Sequence, residues 1–328
     1  NTRGVGEIGR GECVGEFGFE ESRQVGGMPQ CHQCVSRPRS QCTVTFPLVP
    51  EPEALAEARL SGIPRQLMAG GMGLYLLVDP MLGDPVLCEP ADQGLTLEAL
   101  NALRATAWDR PTHALSLPAA LALDAAQAPY LVELQGANDP WFATSVHWAV
   151  EEAVQSWLAE PDQATPHRVG GWLQSAAFGP ELADALTGCL RLSTQAHTTA
   201  RYLRLADRRV LSLAVHVLGE SSVARRLPPV QHWHWLDAHA AWRSLSARPG
   251  HTPEGDHAAQ PKTPSQQPLA TFTSAQWSQM TQGEAVHTHM TRLIRQRLTH
   301  HDTPPPAEWS PVSTAQWQAA LTGVMSPS

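Results

Sequence analysis

The stretch from Thr198 to Gly219 constrains the fold most, because a strand pattern runs directly into a helix pattern within it. Residues 198–206 alternate apolar and polar side chains, which is typical of a half-buried strand. Asp207 then occupies the position of a helix N-cap, where a carboxylate accepts hydrogen bonds from free N–H groups of the first turn. Apolar residues recur at helical spacing as far as Gly219, which ends the pattern. The sequence therefore predicts a strand joined to a capped helix.

Other segments carry the same two patterns in alternation. Residues 73–79, 129–134 and 168–175 are short, mostly apolar runs, which are typical of buried strands. Helix patterns separate them, and the helix after Asp139 begins with an N-cap and with Pro140 at its first position. Because strands and helices alternate, we expect an α/β (mixed α+β) fold, in which a mixed or largely parallel sheet is flanked by helices.

Composition suggests that the chain of 328 residues has four parts. Residues 1–47 are rich in Gly, Ser, Gln and charge without an apolar period, so we predict a disordered or loosely attached N-terminal segment. Residues 48–248 form the predicted α/β domain. Residues 249–269 are rich in Pro, Gln, His and Gly and have few apolar side chains, which is typical of a flexible linker. Residues 270–328 are predicted to be a small helical C-terminal region.

The charge of the chain argues against two classes of partner. Its formal net charge is −8 and its pI is near 6.0, so we expect neither nucleic acid nor an anionic membrane as a partner. No apolar run approaches the roughly 18 residues that span a bilayer, and the first residues lack the apolar core of a secretion signal. The six cysteines are too unevenly placed for a disulfide framework. We therefore predict a cytoplasmic protein.

A nine-residue motif lies where the predicted strand meets the predicted helix. Residues 203–211 are Leu-Arg-Leu-Ala-Asp-Arg-Arg-Val-Leu. They resemble the aromatic-Arg-aromatic-Tyr-Asp-Pro-Arg-Val-Leu motif of domain-of-unknown-function family 4123, whose members are adaptor chaperones of the bacterial type VI secretion system. The positions that match are Arg204, Asp207, Arg209, Val210 and Leu211. Those that differ are Leu203, Leu205 and Ala206 in place of aromatic residues, and Arg208 in place of proline.

Further segments resemble the family in the same order, across about residues 73 to 246. The run that ends at Asp79 is similar to the opening strand of the family. Tyr130 lies in a segment similar to Pro-Tyr-Leu-Val-x-Leu, and Trp172 in one similar to Gly-x-aromatic-Leu-x-Ser. A Pro-aromatic hairpin follows, as in family members. The resemblance implies an adaptor that binds a secreted effector protein in the cytoplasm and hands it to the valine-glycine-repeat spike protein (VgrG), without catalysis and without a cofactor.

The arginines of the motif need partners. Arg208 and Arg209 follow Asp207 at the start of the predicted helix, where the helix dipole disfavours cations. Asp207 or Asp79 can offset this cost through a buried or half-buried ion pair. We therefore interpret Arg204, Asp207 and Arg209 as structural contacts between strand and helix. Direct contact with a partner is the alternative.

A histidine-rich segment, residues 231–239, is the main argument for an enzyme. On a strand, His232 and His234 point to one face, and Trp233 and Trp235 to the other. A hydrolase or metal-dependent enzyme that uses this segment is the alternative function. We prefer an amphipathic strand whose tryptophans enter the core, within a β-hairpin that turns near residues 237–240.

Known catalytic and metal-binding motifs are missing from the sequence. It contains no Gly-x-Ser-x-Gly elbow, no His-Glu-x-x-His pair and no phosphate-binding loop of the Walker type. Cys31 and Cys34 form a single Cys-x-x-Cys pair, whereas a structural zinc site needs four ligands. We predict neither a catalytic residue nor a metal site.

The C-terminal helices, predicted over residues 274–300 and 314–321, carry three of the eleven tryptophans of the chain in or beside them. Trp277, Trp309 and Trp317 have little other apolar support, and tryptophan is favoured at interface anchors. We predict that they contact a partner. The alternative is that these helices fold back on the sheet and complete the core.

We expect residues 1–47 to be dispensable for the fold, because they offer no periodic apolar face. Deleting them is expected to leave the thermal midpoint within about 2 °C of the parent, as for a surface segment. Calorimetry of both proteins measures this, and a larger loss would show that the segment is packed.

Overall fold

The computed structural model of the chain describes residues 51–69, 71–87, 94–117, 123–160, 163–194, 197–225, 227, 229–247, 271–300 and 303–325. All of them fall within one of the two compact units of the chain, Thr45–Ser328. The predictions for residues 1–47, for the linker 249–269 and for the cysteine pair at Cys31 and Cys34 lie outside the described residues.

The described residues form helices and strands in the following order. The helices are α1 (Pro52–Ser61), α2 (Arg65–Met68), α3 (Leu97–Trp108), α4 (Pro140–Leu158), α5 (Gly179–Cys189), α6 (Arg208–Leu218), α7 (Glu220–Ala224), α8 (Ser274–Thr281), α9 (Gly283–Leu298) and α10 (Thr314–Met325). The strands are β1 (Gly73–Val78), β2 (Thr112–Ala114), β3 (Tyr130–Leu134), β4 (Val169–Ser175), β5 (Arg191–Thr194), β6 (His197–Tyr202), β7 (Val230–Leu236), β8 (Trp242–Ser246) and β9 (Thr271–Phe272). Within these residues, no helix is both long and apolar enough to cross a bilayer.

The main sheet has six strands in the order β2-β3-β1-β4-β7-β8, and every neighbouring pair is antiparallel. The expected mixed or largely parallel sheet is therefore wrong. Helix α4 does connect two strands of the same direction, β3 and β4, as the alternating pattern suggested. However, β1 lies between them and runs the opposite way, so the β3-α4-β4 unit is split by an antiparallel strand.

The strand predicted over residues 198–206 lies outside the main sheet. It ends at Tyr202 as β6, which pairs with β5 in a second, three-stranded sheet of order β6-β5-β9. Leu205 and Ala206 are buried in the turn that follows. In this turn the Asp207 N–H donates to the Arg204 carbonyl oxygen at 3.0 Å, so the backbone curls into α6 rather than extending. Helix α6 begins at Arg208 with Asp207 as its N-cap and ends before Gly219, as predicted.

The two faces of the main sheet carry separate apolar clusters. On one face, Leu76, Val132 and Trp172 pack with α1 and α4. On the other, Leu77 and Leu173 pack with α5 and α6, together with the tryptophans of β7. Adjacent strand residues thus face opposite helix layers, which explains why these strands are apolar throughout rather than alternating. The result is a sheet between two helix layers.

The C-terminal helices complete the core, so the fold-back alternative is the one observed. Apolar residues of α9 at a spacing of four face inward and are buried: Val286, Met290, Ile294 and Leu298. They contact α4, α6 and α10. The helix predicted over residues 274–300 is broken at Gln282, which separates α8 from α9. Thr273 and Ser313 cap α8 and α10 in the same way, each exchanging hydrogen bonds with the glutamine three residues later.

Gly170 allows the turn before α6 to lie directly on β4. A Cβ atom at Gly170 would collide with the backbone oxygen of Ala206. Because both groups are backbone, neither can move without displacing a strand or the start of α6.

Gly170→Ala is therefore expected to lower the free energy of unfolding by about 2–3 kcal/mol, as for overpacked cores. Gly62→Ala is the matched control, since a Cβ there would have its nearest neighbours at 3.5 and 3.8 Å, and we expect a change below about 1 kcal/mol. Urea denaturation measures both. Equal stability of the two variants would mean that the turn does not depend on this contact.

Candidate functional site

An ion pair joins the end of β1 to the segment that connects β6 with α6, which we call the strand–helix joint (residues 203–209). Arg204 Nε lies 2.5 Å from Asp79 Oδ2, across 125 residues of sequence. Asp79 is buried, and its Oδ1 also accepts a hydrogen bond from the Met81 N–H at 3.0 Å. Burial raises the pKa of Asp79 above its ordinary value, although the charge of Arg204 acts in the opposite direction. Two sequence segments that carry the family resemblance thus meet here.

Asp207 contacts two arginines of the same joint, Arg204 and Arg209. Its Oδ1 accepts from the Arg209 N–H at 2.9 Å, and its Oδ2 lies 2.6 Å from Arg209 Nη2 and 3.7 Å from Arg204 Nη1. Burial alone would raise the pKa of Asp207, but the hydrogen bonds and charge of Arg209, together with Arg204, hold it below its ordinary value. The structural role predicted for Arg204, Asp207 and Arg209 fits these contacts.

Arg208, at the position of the proline in the family motif, anchors α6 inside the protein. Its side chain is 3% exposed. Nη1 lies 3.2 Å from Glu152 Oε2, and Nη2 donates to the Ala149 carbonyl oxygen at 2.6 Å. The other oxygen of Glu152 accepts from the backbone N–H and Nε of Arg168. Sequence reasoning missed Glu152. The signal was present, because Glu152 lies one turn from Ala149 on the apolar face of α4, where a charge needs a buried partner.

A cleft of about 560 Å³ opens beside the joint. Arg204, Asp207 and Arg209 line it from the joint, and we call this side the joint wall. Residues of α8, α9 and α10 also line it and form what we call the α9 wall, and the end of α4 contributes further residues. The large apolar side chains that line the cleft are those of Leu82, Val210, Leu213, Met280 and Trp317. This volume lies within the range of about 300–1,000 Å³ that is usual for ligand sites.

Two histidines at the cleft are neutral near neutral pH: His167, which is buried, and His287, which is half-buried and lines the cleft. The ring of His287 is 5.6 Å from that of His167, and its Nε2 is 3.2 Å from Ser156 Oγ. Burial, followed by the charge of Arg209, lowers the pKa of His287 to about 3. The pKa of His167 is also well below its ordinary value, because of burial and then of the charge of Arg208. Neither ring nitrogen of His167 has a hydrogen-bond partner among the described residues.

The histidine-rich segment forms the predicted hairpin of β7 and β8. Trp233 and Trp235 enter the core with α5 and α6. His232 and His234 stack on the other face with ring centroids 5.9 Å apart. Their Nδ1 atoms lie 2.9 Å from Ser246 Oγ and 2.7 Å from Ser244 Oγ respectively, the two serines being on β8. Among the described residues, no three His, Cys, Asp or Glu side chains form a group that could hold a metal ion.

Asp237 closes the turn of this hairpin. Its Oδ1 accepts from the backbone N–H groups of His239 and Ala241, and its Oδ2 accepts from that of Val312 at 2.6 Å. The Nδ1 of His239 lies 2.9 Å from the Ser310 carbonyl oxygen. The polar side chains of the turn therefore tie the hairpin to the segment before α10.

The remaining residues predicted at the site belong to the core. Tyr130 donates from its hydroxyl to Asp84 Oδ1 at 3.0 Å and accepts from Trp108 Nε1 at 3.2 Å. Trp172 donates from Nε1 to Ser145 Oγ at 2.9 Å. Both side chains are fully buried, so they support the sheet and do not reach the cleft.

The three tryptophans predicted to contact a partner differ in position. Trp309 is 3% exposed, with its ring 5.6 Å from that of Trp157 and 4.4 Å from the Arg297 guanidinium. It is therefore a core residue, which corrects the prediction. Trp277 is half-buried, 6.1 Å from Phe272. Trp317 is half-buried and lines the cleft.

No protein-family model, no curated protein and no solved structure matches this chain.

Removing the cation beside Asp79 is expected to cost stability in a pH-dependent way. Arg204→Met leaves a buried carboxylate without its ion pair, so the free energy of unfolding falls by about 3 kcal/mol near pH 7. The pKa of Asp79 in the folded state then rises further above the unfolded value of about 3.9. A carboxyl with a raised folded pKa binds its proton more tightly in the folded state than in the unfolded state. Its cost to stability is therefore absent below the unfolded pKa and grows as the pH rises toward the folded pKa. The loss is therefore smaller near pH 4 than near pH 7.

The double variant Asp79→Asn/Arg204→Met is the control, because it removes both charges. Urea denaturation is expected to show less destabilisation than for Arg204→Met, and no difference between the two pH values from this pair. A single variant as stable as the parent that no longer holds a partner would favour direct partner contact over the structural role.

Proposed function

We propose that this chain is a non-catalytic adaptor chaperone, which binds a type VI secretion effector in the cytoplasm and loads it onto VgrG. One observation carries the proposal. Motif residues that resemble the adaptor family and lie far apart in sequence, Asp79 and the triplet Arg204, Asp207 and Arg209, meet in one charged cluster at the wall of a cleft. If these residues resemble the family because they form a common fold and a common site, they are expected to lie together in the folded protein.

The cleft supports binding of a polypeptide. It combines apolar side chains with charged groups along walls that belong to different helices. The ion pairs of the joint and the buried Arg208–Glu152 pair hold one wall in place before any partner arrives. A preformed concave surface loses little conformational entropy on binding, which favours recognition of an exposed partner segment.

The chemistry of the cleft favours binding over catalysis. The nearest nucleophile–base contact is that of Ser156 with His287. A general base works best with a pKa near the operating pH, whereas burial holds the pKa of His287 at about 3. Of the carboxylates that line the cleft, Asp207 is engaged by Arg209 through both oxygens, and Glu160 and Glu284 are exposed. In the alternative, an enzyme that uses residues 231–239, His234 would have to release Gln174 to free its Nε2, because Ser244 holds its Nδ1 and Gln174 contacts its Nε2 at 3.3 Å.

Co-purification tests the proposal directly. The full chain is co-expressed with the effector and the VgrG protein encoded beside it, and complexes are isolated through a tag on the chain. We expect stoichiometric recovery of the effector, and of VgrG when both are present, with no turnover of esterase or phosphatase test substrates.

Two results would count against the adaptor. Recovery of the chain alone, from cells that contain both soluble partners, would contradict effector loading. Bound metal in stoichiometric amount together with hydrolysis lost in His234→Ala would favour the enzyme.

A further inference from the structure

The two walls of the cleft differ in how their arginines are neutralised. On the joint wall, Arg204 is paired with Asp79, and Arg209 with Asp207. On the α9 wall, Arg292 and Arg295 lie one helical turn apart and both line the cleft. Among the ion pairs of the described residues, none involves either of them. The α9 wall therefore offers two arginines that form no ion pair with a carboxylate among the described residues, although Glu284 in the first turn of α9 also lines the cleft.

The donors of these arginines are only partly used. Arg295 donates from Nε to the Trp157 carbonyl oxygen, which holds its side chain over the end of α4. Arg292 is exposed, and its Nη2 contacts His289 Nδ1 at 3.2 Å. On the joint wall, the buried Nη2 of Arg204 has no hydrogen-bond partner among the described residues. Each guanidinium carries five N–H donors in a planar fork that suits a carboxylate.

The acidic groups around the cleft restrict which anion fits. Glu160 and Glu284 line it and are exposed, and the chain as a whole has a net charge of −8. A polyanion such as nucleic acid, or a doubly charged phosphate, would be repelled by these groups. A single carboxylate carries less charge and is repelled less, and apolar side chains on either side of it can pack against residues such as Leu82, Met280 and Trp317. Leu82 is 45% exposed, as a contact residue for such a segment should be.

We propose that this cleft binds a partner segment in which one Asp or Glu is flanked by apolar side chains, and that Arg292 and Arg295 hold its carboxylate. This inference rests on the proposed adaptor function and names the chemistry of the segment that is recognised. Asp79 and Asp207 neutralise the charges of Arg204 and Arg209 on the joint wall, so the positive charge that attracts this carboxylate comes from α9.

A random peptide library tests the inference without a known partner. Twelve-residue peptides displayed on phage are selected on the immobilised full chain. We expect the enriched peptides to share one acidic residue between apolar residues. An enriched peptide is then synthesised with a fluorophore, in its original form and with its acidic residue replaced by the amide, and the dissociation constants are measured by fluorescence anisotropy.

Arg292→Gln is expected to weaken the acidic peptide by about fivefold to tenfold, the size of one charge-assisted hydrogen bond at a partly exposed site. The amide peptide is expected to bind the parent and Arg292→Gln equally, because it already lacks the carboxylate with which Arg292 interacts. Arg65→Gln is the matched control, an exposed arginine of α2 that does not line the cleft. It should change neither constant, and both variants should melt like the parent.

Several outcomes would overturn the inference. They are the absence of enrichment, enrichment without a shared acid, and equal weakening by Arg292→Gln of the acidic and amide peptides. Tighter binding of a single-stranded oligonucleotide, lost in Arg292→Gln, would make the cleft a phosphate site instead.

The same variant separates this inference from the adaptor proposal. If Arg292→Gln retains effector and VgrG in the co-purification and peptides fail to bind, the cleft inference fails and the adaptor function stands. If acidic peptides bind as expected while neither protein is recovered, the adaptor function fails and the cleft inference stands.

Discussion

The fold depends on matching buried carboxylates with arginines from one short segment. Asp79, Glu152 and Asp207 are all buried, and an unpaired charge in such a place costs several kcal/mol. Arg204, Arg208 and Arg209 supply the three partners within six residues. These pairs connect the end of β1, the middle of α4 and the start of α6, so both helix layers are placed relative to the main sheet by the same six residues of backbone.

The properties of the cleft follow from this arrangement. Because the carboxylates of the joint occupy its own arginines, the unpaired cationic groups lie on α9, which the sequence places nearly ninety residues later. Burial, and after it the charge of the same arginines, lowers the pKa values of His167 and His287. Both rings are therefore neutral near neutral pH.

Local features of the fold could be predicted because their causes lie within a few residues. Asp139 and Asp207 cap their helices as expected, since an N-cap depends on the residue and the turn that follows it. The inward orientation of Trp233 and Trp235 follows from the period of two in a strand. Of the candidate site, the contacts among Arg204, Asp207 and Arg209 were predictable, and the position of Glu152 on α4 indicated that it needs a buried partner. That this partner is Arg208, and that α9 lines the cleft, could not be predicted.

By itself, the sequence determined where α4 and α6 begin, how the histidines and tryptophans of β7 divide between the two faces of the sheet, and that the motif arginines need carboxylates. Only the tertiary structure decided the direction of the main sheet, because β1 enters between β3 and β4 and no local pattern encodes the neighbour of a strand. It also decided that Trp309 is buried and that Arg208 pairs with Glu152, 56 residues away. Such contacts depend on how the layers pack, and side-chain spacing along the chain carries no information about them.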